Sequence, residues 1–193
     1  MAAAAPLPWL EAFAHARGLR YEPEADERWL RAWEPYATVR VPFRYEHVLS
    51  ATGSYGSLSL ARAVLELPGP FEVGTWLAIV QDERLHTRAA TTSDFGSPFA
   101  EPLELVPLRR RTTGEPTFDN VFASFAESGD ALVSAITPSL RRLLLSWRAP
   151  VHAEIRPGGF ILTPVSAPPD GRGLSWVLDA VHLFGEKANK QAR

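Results

Sequence analysis

The last third of the chain, residues 118–189, constrains the fold more than any other part. An aromatic segment at 118–125 favours a strand, and an apolar segment with helical spacing follows and ends near Trp147. Two short apolar runs then flank the turn at 156–159, which contains Pro and two Gly, and so predict a hairpin. The amphipathic stretch 174–187 predicts a last helix. Strand, helix, hairpin and helix in this order favour antiparallel pairing, because a parallel sheet needs regular alternation of strands and helices.

The first two thirds predict two helices followed by strands. Helical spacing over 7–17 ends at Gly18, a residue typical of the position after a helix. The other predicted elements are a helix at 25–33, strands at 39–43, 45–51, 58–67 and 73–80, a surface loop at 91–102 and an edge strand at 103–108. Further on, Asp130 predicts one helix start, and Thr137 with Pro138 predicts another.

These elements predict an α+β fold with a mainly antiparallel sheet and helices packed on one face. The C-terminal part is predicted to form a strand-helix-hairpin-helix unit. At 193 residues the chain is expected to fold as a single domain, 1–193, with 1–113 (helix plus meander) and 114–190 as possible sub-units.

Composition narrows the function classes. The chain has no Cys, which excludes disulfides, Cys-ligated zinc and thiol catalysis. A net charge of −2 makes nucleic acid an unfavoured partner, since such proteins usually present a strongly basic face. The sequence has neither a secretory signal nor an apolar run long enough for a membrane span, so we expect a cytoplasmic protein with no membrane partner.

Two polar residues of the predicted hairpin, His152 and Glu154, alternate along one strand and so share a face. They form either a binding site or the solvated face of an ordinary strand, since Val151, Ala153 and Ile155 fill the other face. No nucleophile motif, phosphate loop or metal-spaced cluster accompanies them, so we expect no cofactor.

The densest basic run is Arg109, Arg110 and Arg111. Together with two further arginines at 141–142, it could bind an anion, a phosphate or a nucleic acid. The alternative is a solvated strand end, in which Arg110 points away from its two neighbours.

Two short motifs resemble those of a poorly characterised bacterial family found in high-GC lineages. They are the Arg-Gly-x-x-Tyr step at 17–21 and the Phe-Asp-x-x-Phe step at 118–122, although Leu19 stands where that family is expected to have Trp. The resemblance implies a bacterial protein and brings no activity or site residues with it. The order of elements is also similar to that of small secretion chaperones, which bind protein partners.

The leading functional hypothesis is therefore a non-catalytic protein-interaction or adaptor protein, chaperone-like, of the bacterial cytoplasm. The alternative is a small-ligand binder or enzyme with a site assembled from distant residues, so whether the chain is an enzyme stays open. The candidate residues for that site are His47, His86, Asp119, Arg111, His152 and Glu154. Unpaired sheet edges also leave a homodimer open.

Overall fold

The computed structural model describes residues 5–33, 42–53, 56–66, 72–93, 108–164 and 170–189. Within these ranges, nine strands form one sheet in which every neighbouring pair is antiparallel. The strands are β1 (Arg20–Glu24), β2 (Arg44–Gly53), β3 (Gly56–Glu66), β4 (Glu72–Gln81), β5 (Ala89–Ser93), β6 (Arg109–Arg111), β7 (Phe122–Ala126), β8 (Val151–Arg156) and β9 (Gly159–Pro164). The helices are α1 (Pro8–Ala16), α2 (Glu27–Ala32), α3 (Pro116–Asp119), α4 (Gly129–Ala135), α5 (Pro138–Trp147) and α6 (Gly171–Asn189). The predicted α+β class with a mainly antiparallel sheet is confirmed.

The β8–β9 hairpin lies in the middle of the sheet. The strand order is β1-β2-β3-β4-β9-β8-β5-β7-β6, so β9 pairs with β4 and β8 pairs with β5. The two predicted segments 1–113 and 114–190 therefore interleave, and neither forms a sheet of its own among the described strands.

One face of the sheet carries most of the core, and we call it the main face. Every helix except α2 contributes a fully buried side chain to the cluster on this face: Leu10, Ala14, Phe118, Leu132, Ala135, Leu140, Leu144, Leu174, Val177 and Phe184 are examples. The reverse face is covered at its β2–β4 end by α2, whose Leu30 packs with Leu77 and Ile79. The helices thus pack mainly on one face, as predicted, with one short helix on the other.

Local sequence explains where the C-terminal helices begin. The Thr137 hydroxyl accepts a hydrogen bond from the backbone N–H of Leu140, and Pro138 fills the first helical position, as predicted. Helix α4 differs from the prediction, because Ser128 and not Asp130 is its N-cap. Asp130 lies in the first turn instead, where its charge still favours the helix dipole.

One further prediction was wrong in part, and others fall outside the described residues. Residues 91–93 belong to strand β5 and not to the predicted loop. Their backbone groups pair with β7 on one side and β8 on the other, and both of these strands come from later in the chain. The predicted edge strand at 103–108 falls outside the described residues except for Leu108, and the strand that follows is β6. The predicted loop at 94–102 also lies outside the described residues. Of the predicted strand at 39–43, only Pro42 and Phe43 are described, and they precede β2.

The hairpin between β2 and β3 depends on a glycine. Gly56 has a φ of 109°, and a side chain there would collide with the carbonyl of Gln81 on β4. We expect Gly56→Ala to lower the free energy of unfolding by about 1–3 kcal/mol, because the strand must shift to make room. Urea unfolding measures this change.

Gly129 is the matched control, because it opens helix α4 with free space where a Cβ would lie. Gly129→Ala should change stability by no more than about 1 kcal/mol. Equal effects of the two substitutions would contradict the described contact between Gly56 and β4.

Candidate functional site

Three polar side chains of strand β8 are linked by hydrogen bonds at the centre of the reverse face. The Nε2 atom of His152 lies 2.7 Å from Oε1 of Glu154, and Arg156 donates to Oε2 of Glu154 from Nε at 2.9 Å and from Nη2 at 2.6 Å. His152 and Glu154 are completely buried. The prediction that they share a face is correct, but the solvated strand face is wrong, because no solvent reaches either side chain.

The charge of Glu154 is stabilised from both sides. Burial would raise the pKa of this carboxyl, but the hydrogen bond and charge of His152, together with the charge of Arg156, outweigh burial and hold the pKa below its ordinary value. Glu154 is therefore ionised at neutral pH. Its partner Arg156 extends toward the surface and remains partly exposed. The result is a buried ion pair with solvent contact at one end only.

The same row of the sheet holds polar atoms that have no hydrogen-bond partner among the described residues. Thr92 and Thr163 lie opposite His152 on the two neighbouring strands. Their hydroxyls and Nδ1 of His152 form no hydrogen bond with the described protein atoms. A carboxylate that orients one nitrogen of a histidine resembles a catalytic base with its partner. His152 has no accessible surface, however, so the described arrangement gives a substrate no contact with it. We interpret this row as structural.

His47 occupies a strained position on β2. It has a φ of 54°, in the left-handed region, and lies in a β-bulge between Glu46 and Leu49. Its Nδ1 is 2.9 Å from the hydroxyl of Tyr21, which in turn accepts a hydrogen bond from the N–H of Leu7 at the start of α1. Burial lowers the pKa of His47, the adjacent Glu46 opposes this shift, and the charge of Arg62 adds to it. The neutral ring thus links β2 to β1 and α1.

The remaining candidate residues are dispersed. Both carboxylate oxygens of Asp119 accept bonds from the turn before α3, including the N–H groups of Thr113 and Gly114, so Asp119 stabilises a turn. His86 is exposed in the connection between β4 and β5. Arg111 donates to the carbonyl of Glu127. Of the six candidate residues, the structure brings together only His152 and Glu154.

The arginine run forms the terminal strand of the described sheet. Strand β6 pairs only with β7 there, and Arg109 and Arg110 are exposed. Arg110 lies opposite Phe125 while its neighbours lie opposite Ala126 and Ser124, so the predicted alternation of the side chains is confirmed. Among the described residues, the guanidinium groups of Arg109 and Arg110 have no ion-pair partner.

The described residues line apolar clefts that open on the main face. One, of about 240 Å³, lies between α6 and the ends of β3 and β4 and includes Leu178 and Val181. The other, of about 360 Å³, lies between the C-terminal end of α5 and the start of β7, and Arg148 lines it. Sequence reasoning missed both clefts. The sequence offered one indication of the larger cleft, which was the position of Arg148 directly after the predicted helix. An arginine at the end of a helix is too common to predict a cleft.

The described part of the chain contains no group of three or more acidic and histidine side chains that could hold a metal ion. None of its helices combines the length and the apolar character needed to cross a bilayer.

Comparison with known proteins gives a match in fold only. No protein-family model and no curated protein matches the chain. The fold is similar to the crystal structure of the mycobacterial trehalose monomycolate transport factor A, TtfA, with a TM-score of 0.62. The similarity covers 92% of this chain and 91% of that chain at 11% sequence identity.

The buried ion pair generates a prediction about stability. Glu154→Gln should lower the free energy of unfolding by about 3–5 kcal/mol, because it removes the charge that compensates Arg156 and alters the bond to His152. Chemical unfolding at neutral pH measures the loss. Glu22→Gln is the control, because Glu22 pairs with Arg20 on the exposed strand β1, and we expect a change of at most about 1 kcal/mol.

The pH dependence of the same variant follows from the lowered pKa. Unfolding restores the ordinary value of 4.5, so the unfolded state takes up the proton first as the pH falls. The stability contributed by ionised Glu154 is complete above that value and is lost as the pH falls through the folded pKa. The variant should therefore lose less stability than the parent on acidification below about pH 4.5. If the free energy of unfolding fell equally with pH in the parent and the variant, a lowered pKa at Glu154 would be contradicted.

His47 gives a separate prediction at milder pH. Its folded pKa lies below the ordinary 6.5, so the stability of the neutral form is complete above that value and falls as the pH drops through the folded pKa. His47→Asn removes the titration and tolerates positive φ. We expect the variant to lose about 1 kcal/mol at neutral pH and to show a flatter decline of stability between about pH 7 and pH 5. Thermal unfolding across this pH range measures both.

His15→Asn is the control, because His15 is exposed on α1. Its decline of stability with pH should match that of the parent. An equal flattening in both variants would assign the effect to general charge and not to the link between His47 and Tyr21.

Proposed function

We propose that this chain is a non-catalytic adaptor of the bacterial cytoplasm that binds an acidic, extended segment of a protein partner at strand β6. The observation that carries the proposal is a strand of three arginines at the edge of the described sheet. Arg109 and Arg110 are exposed on this strand, without an ion-pair partner among the described residues.

The backbone of β6 supports strand addition. An antiparallel strand offers hydrogen-bonding groups on both sides, and among the described strands only β7 pairs with β6, on one side. A partner segment can pair with the other side, as extended peptides do when they add a strand to the edge of a sheet. Main-chain hydrogen bonds then supply affinity, and side chains supply selectivity.

The opposite edge of the sheet is less suited to this role. Strand β1 contains Pro23, which has no N–H to donate, and it carries both basic and acidic side chains, including the ion pair of Arg20 with Glu22. Strand β6 has no proline and carries positive charge alone. The two edges therefore differ in both hydrogen-bonding capacity and charge.

The charge of β6 selects the class of partner. The exposed guanidinium groups of Arg109 and Arg110 attract carboxylates, and Arg–carboxylate pairs form strong, directional hydrogen bonds. A second copy of the same strand would bring like charges together, so the arginines disfavour a homodimer through this edge. The overall net charge of −2 disfavours nucleic acid as the partner.

Two observations support a non-catalytic role. His152 and Glu154, which come nearest to a catalytic pair, are completely buried. The described partners of His47, Asp119 and Arg111 are instead Tyr21, the turn before α3 and the carbonyl of Glu127. The fold is also similar to that of a transport factor. We therefore propose that the adaptor serves a transport system.

A defined pair of peptides tests this function. The probes are an eight-residue peptide of alternating Val and Glu and its counterpart of alternating Val and Gln. We expect the acidic peptide to bind at least roughly 10-fold more tightly at low salt, and added salt to remove most of this difference. The double substitution Arg109→Glu and Arg110→Glu should abolish the preference for the acidic peptide. Fluorescence anisotropy of labelled peptides measures all of these affinities.

Arg28→Glu is the matched control, because Arg28 is exposed on α2, a helix that packs against β2 far from β6 in the strand order. It should retain the preference for the acidic peptide. Equal binding of both peptides would contradict the proposal, as would an equal loss in the Arg28 variant. Tighter binding of a single-stranded oligonucleotide than of the acidic peptide would replace the adaptor hypothesis with nucleic-acid binding.

A further inference from the structure

The cleft at the C-terminal end of α5 combines an apolar interior with one cationic side chain. It has a volume of about 360 Å³, within the range of small-molecule sites. Leu144 and Leu145 of α5 form one wall, and Val121 and Phe122 at the start of β7 form another. Arg148 lines the same cleft and is exposed to solvent. The cleft thus offers apolar surface next to a charged group in contact with water.

The polar atoms inside the cleft need no partner from a ligand. Among the described lining residues, Ser93 is the only one with a polar uncharged side chain. Its hydroxyl accepts from the N–H of Val151 and contacts the carbonyl of the same residue. Among the described residues, no acidic side chain lines the cleft. An occupant of the interior should therefore be apolar, because it would leave no buried polar group unsatisfied.

The backbone fixes Arg148 at this position. Arg148 is the C-cap of α5 and has a φ of 50°, in the left-handed region that ends many helices. Its guanidinium has no hydrogen-bond or ion-pair partner among the described residues. The partial negative charge at a helix C-terminus, about half an elementary charge, only partly offsets the full charge of a guanidinium. A positive charge consequently remains available beside the apolar interior.

We propose that this cleft binds the anion of a free fatty acid. The alkyl chain lies against the side chains of α5 and β7, and the carboxylate pairs with Arg148 at the solvent-exposed side. Charge complementarity carries the choice of ligand, since the described lining of the cleft contains one cation, no carboxylate and no unsatisfied polar atom. The second apolar cleft has no arginine or lysine among its described lining residues, so it does not meet this condition.

A series of ligands tests both halves of the site. Calorimetric titration compares hexanoate, octanoate and decanoate, all below the concentrations at which they form micelles. Each added methylene should tighten binding roughly 4-fold until the cleft is filled. Decanoate should bind roughly 3–10-fold more tightly than decanol, which has the same chain without the charge.

Variants locate the ligand. Arg148→Gln should remove the difference between decanoate and decanol, and Arg148→Lys should restore much of it. Ala149→Phe should weaken both ligands at least roughly 10-fold, because Ala149 lines the cleft and a larger side chain fills it. Arg142→Gln is the control, because Arg142 is exposed on the same helix outside the cleft, and it should bind as the parent does. Thermal unfolding of each variant confirms that it is folded.

Three results would overturn the proposal. The first is the absence of saturable binding by any member of the series. The second is equal affinity for decanoate and decanol that Arg148→Gln leaves unchanged. The third is decanoate binding that persists in the Ala149→Phe variant, which would place the ligand elsewhere on the protein.

Discussion

The pairing of β9 with β4 is the interaction on which the rest of the sheet depends. It joins a meander of four strands to strands from later in the chain, and the β8–β9 hairpin connects this meander to β5, β7 and β6. Because these partners are distant in sequence, the chain must close long loops before the contacts form, and the entropy lost must be offset by burial. The completely buried residues Phe160, Ile161 and Leu162 of β9 supply that burial on both faces.

A buried centre of this kind determines where binding can take place. The ion pair of Glu154 with Arg156 and the bond to His152 lie at the middle of the sheet, where removal of one partner leaves a charge without compensation. These groups therefore contribute to stability. The accessible arginines considered above lie at the periphery, on strand β6 and beside the cleft at the end of α5. Histidine and carboxylate motifs in the sequence pointed instead to the buried centre, where a ligand has no access.

The sequence predicted elements that depend on local signals. The Thr137–Pro138 helix start, the glycine turn between β8 and β9 and the last helix, predicted at 174–187 and found at Gly171–Asn189, all follow from residues close to one another in the chain. Features created by long-range pairing were missed. Residues 91–93 lack a strand pattern of their own, and only β7 and β8 make them a strand. Burial of His152 and Glu154 depends in the same way on how the hairpin is placed in the sheet, which alternation along one strand cannot reveal.

Hydrogen exchange of the free protein tests the central role of the β8–β9 hairpin most directly, because it measures the protection of the central strands and of the edge together. We expect the amides of β4, β8 and β9 to exchange only through global unfolding, while β6 exchanges through local opening at far lower free energy. Protection of β6 equal to that of the centre would contradict an open edge, since the outer side of β6 would then already be paired. Local exchange of β8 and β9 while β2 and β3 stayed protected would show that the hairpin does not hold the sheet together.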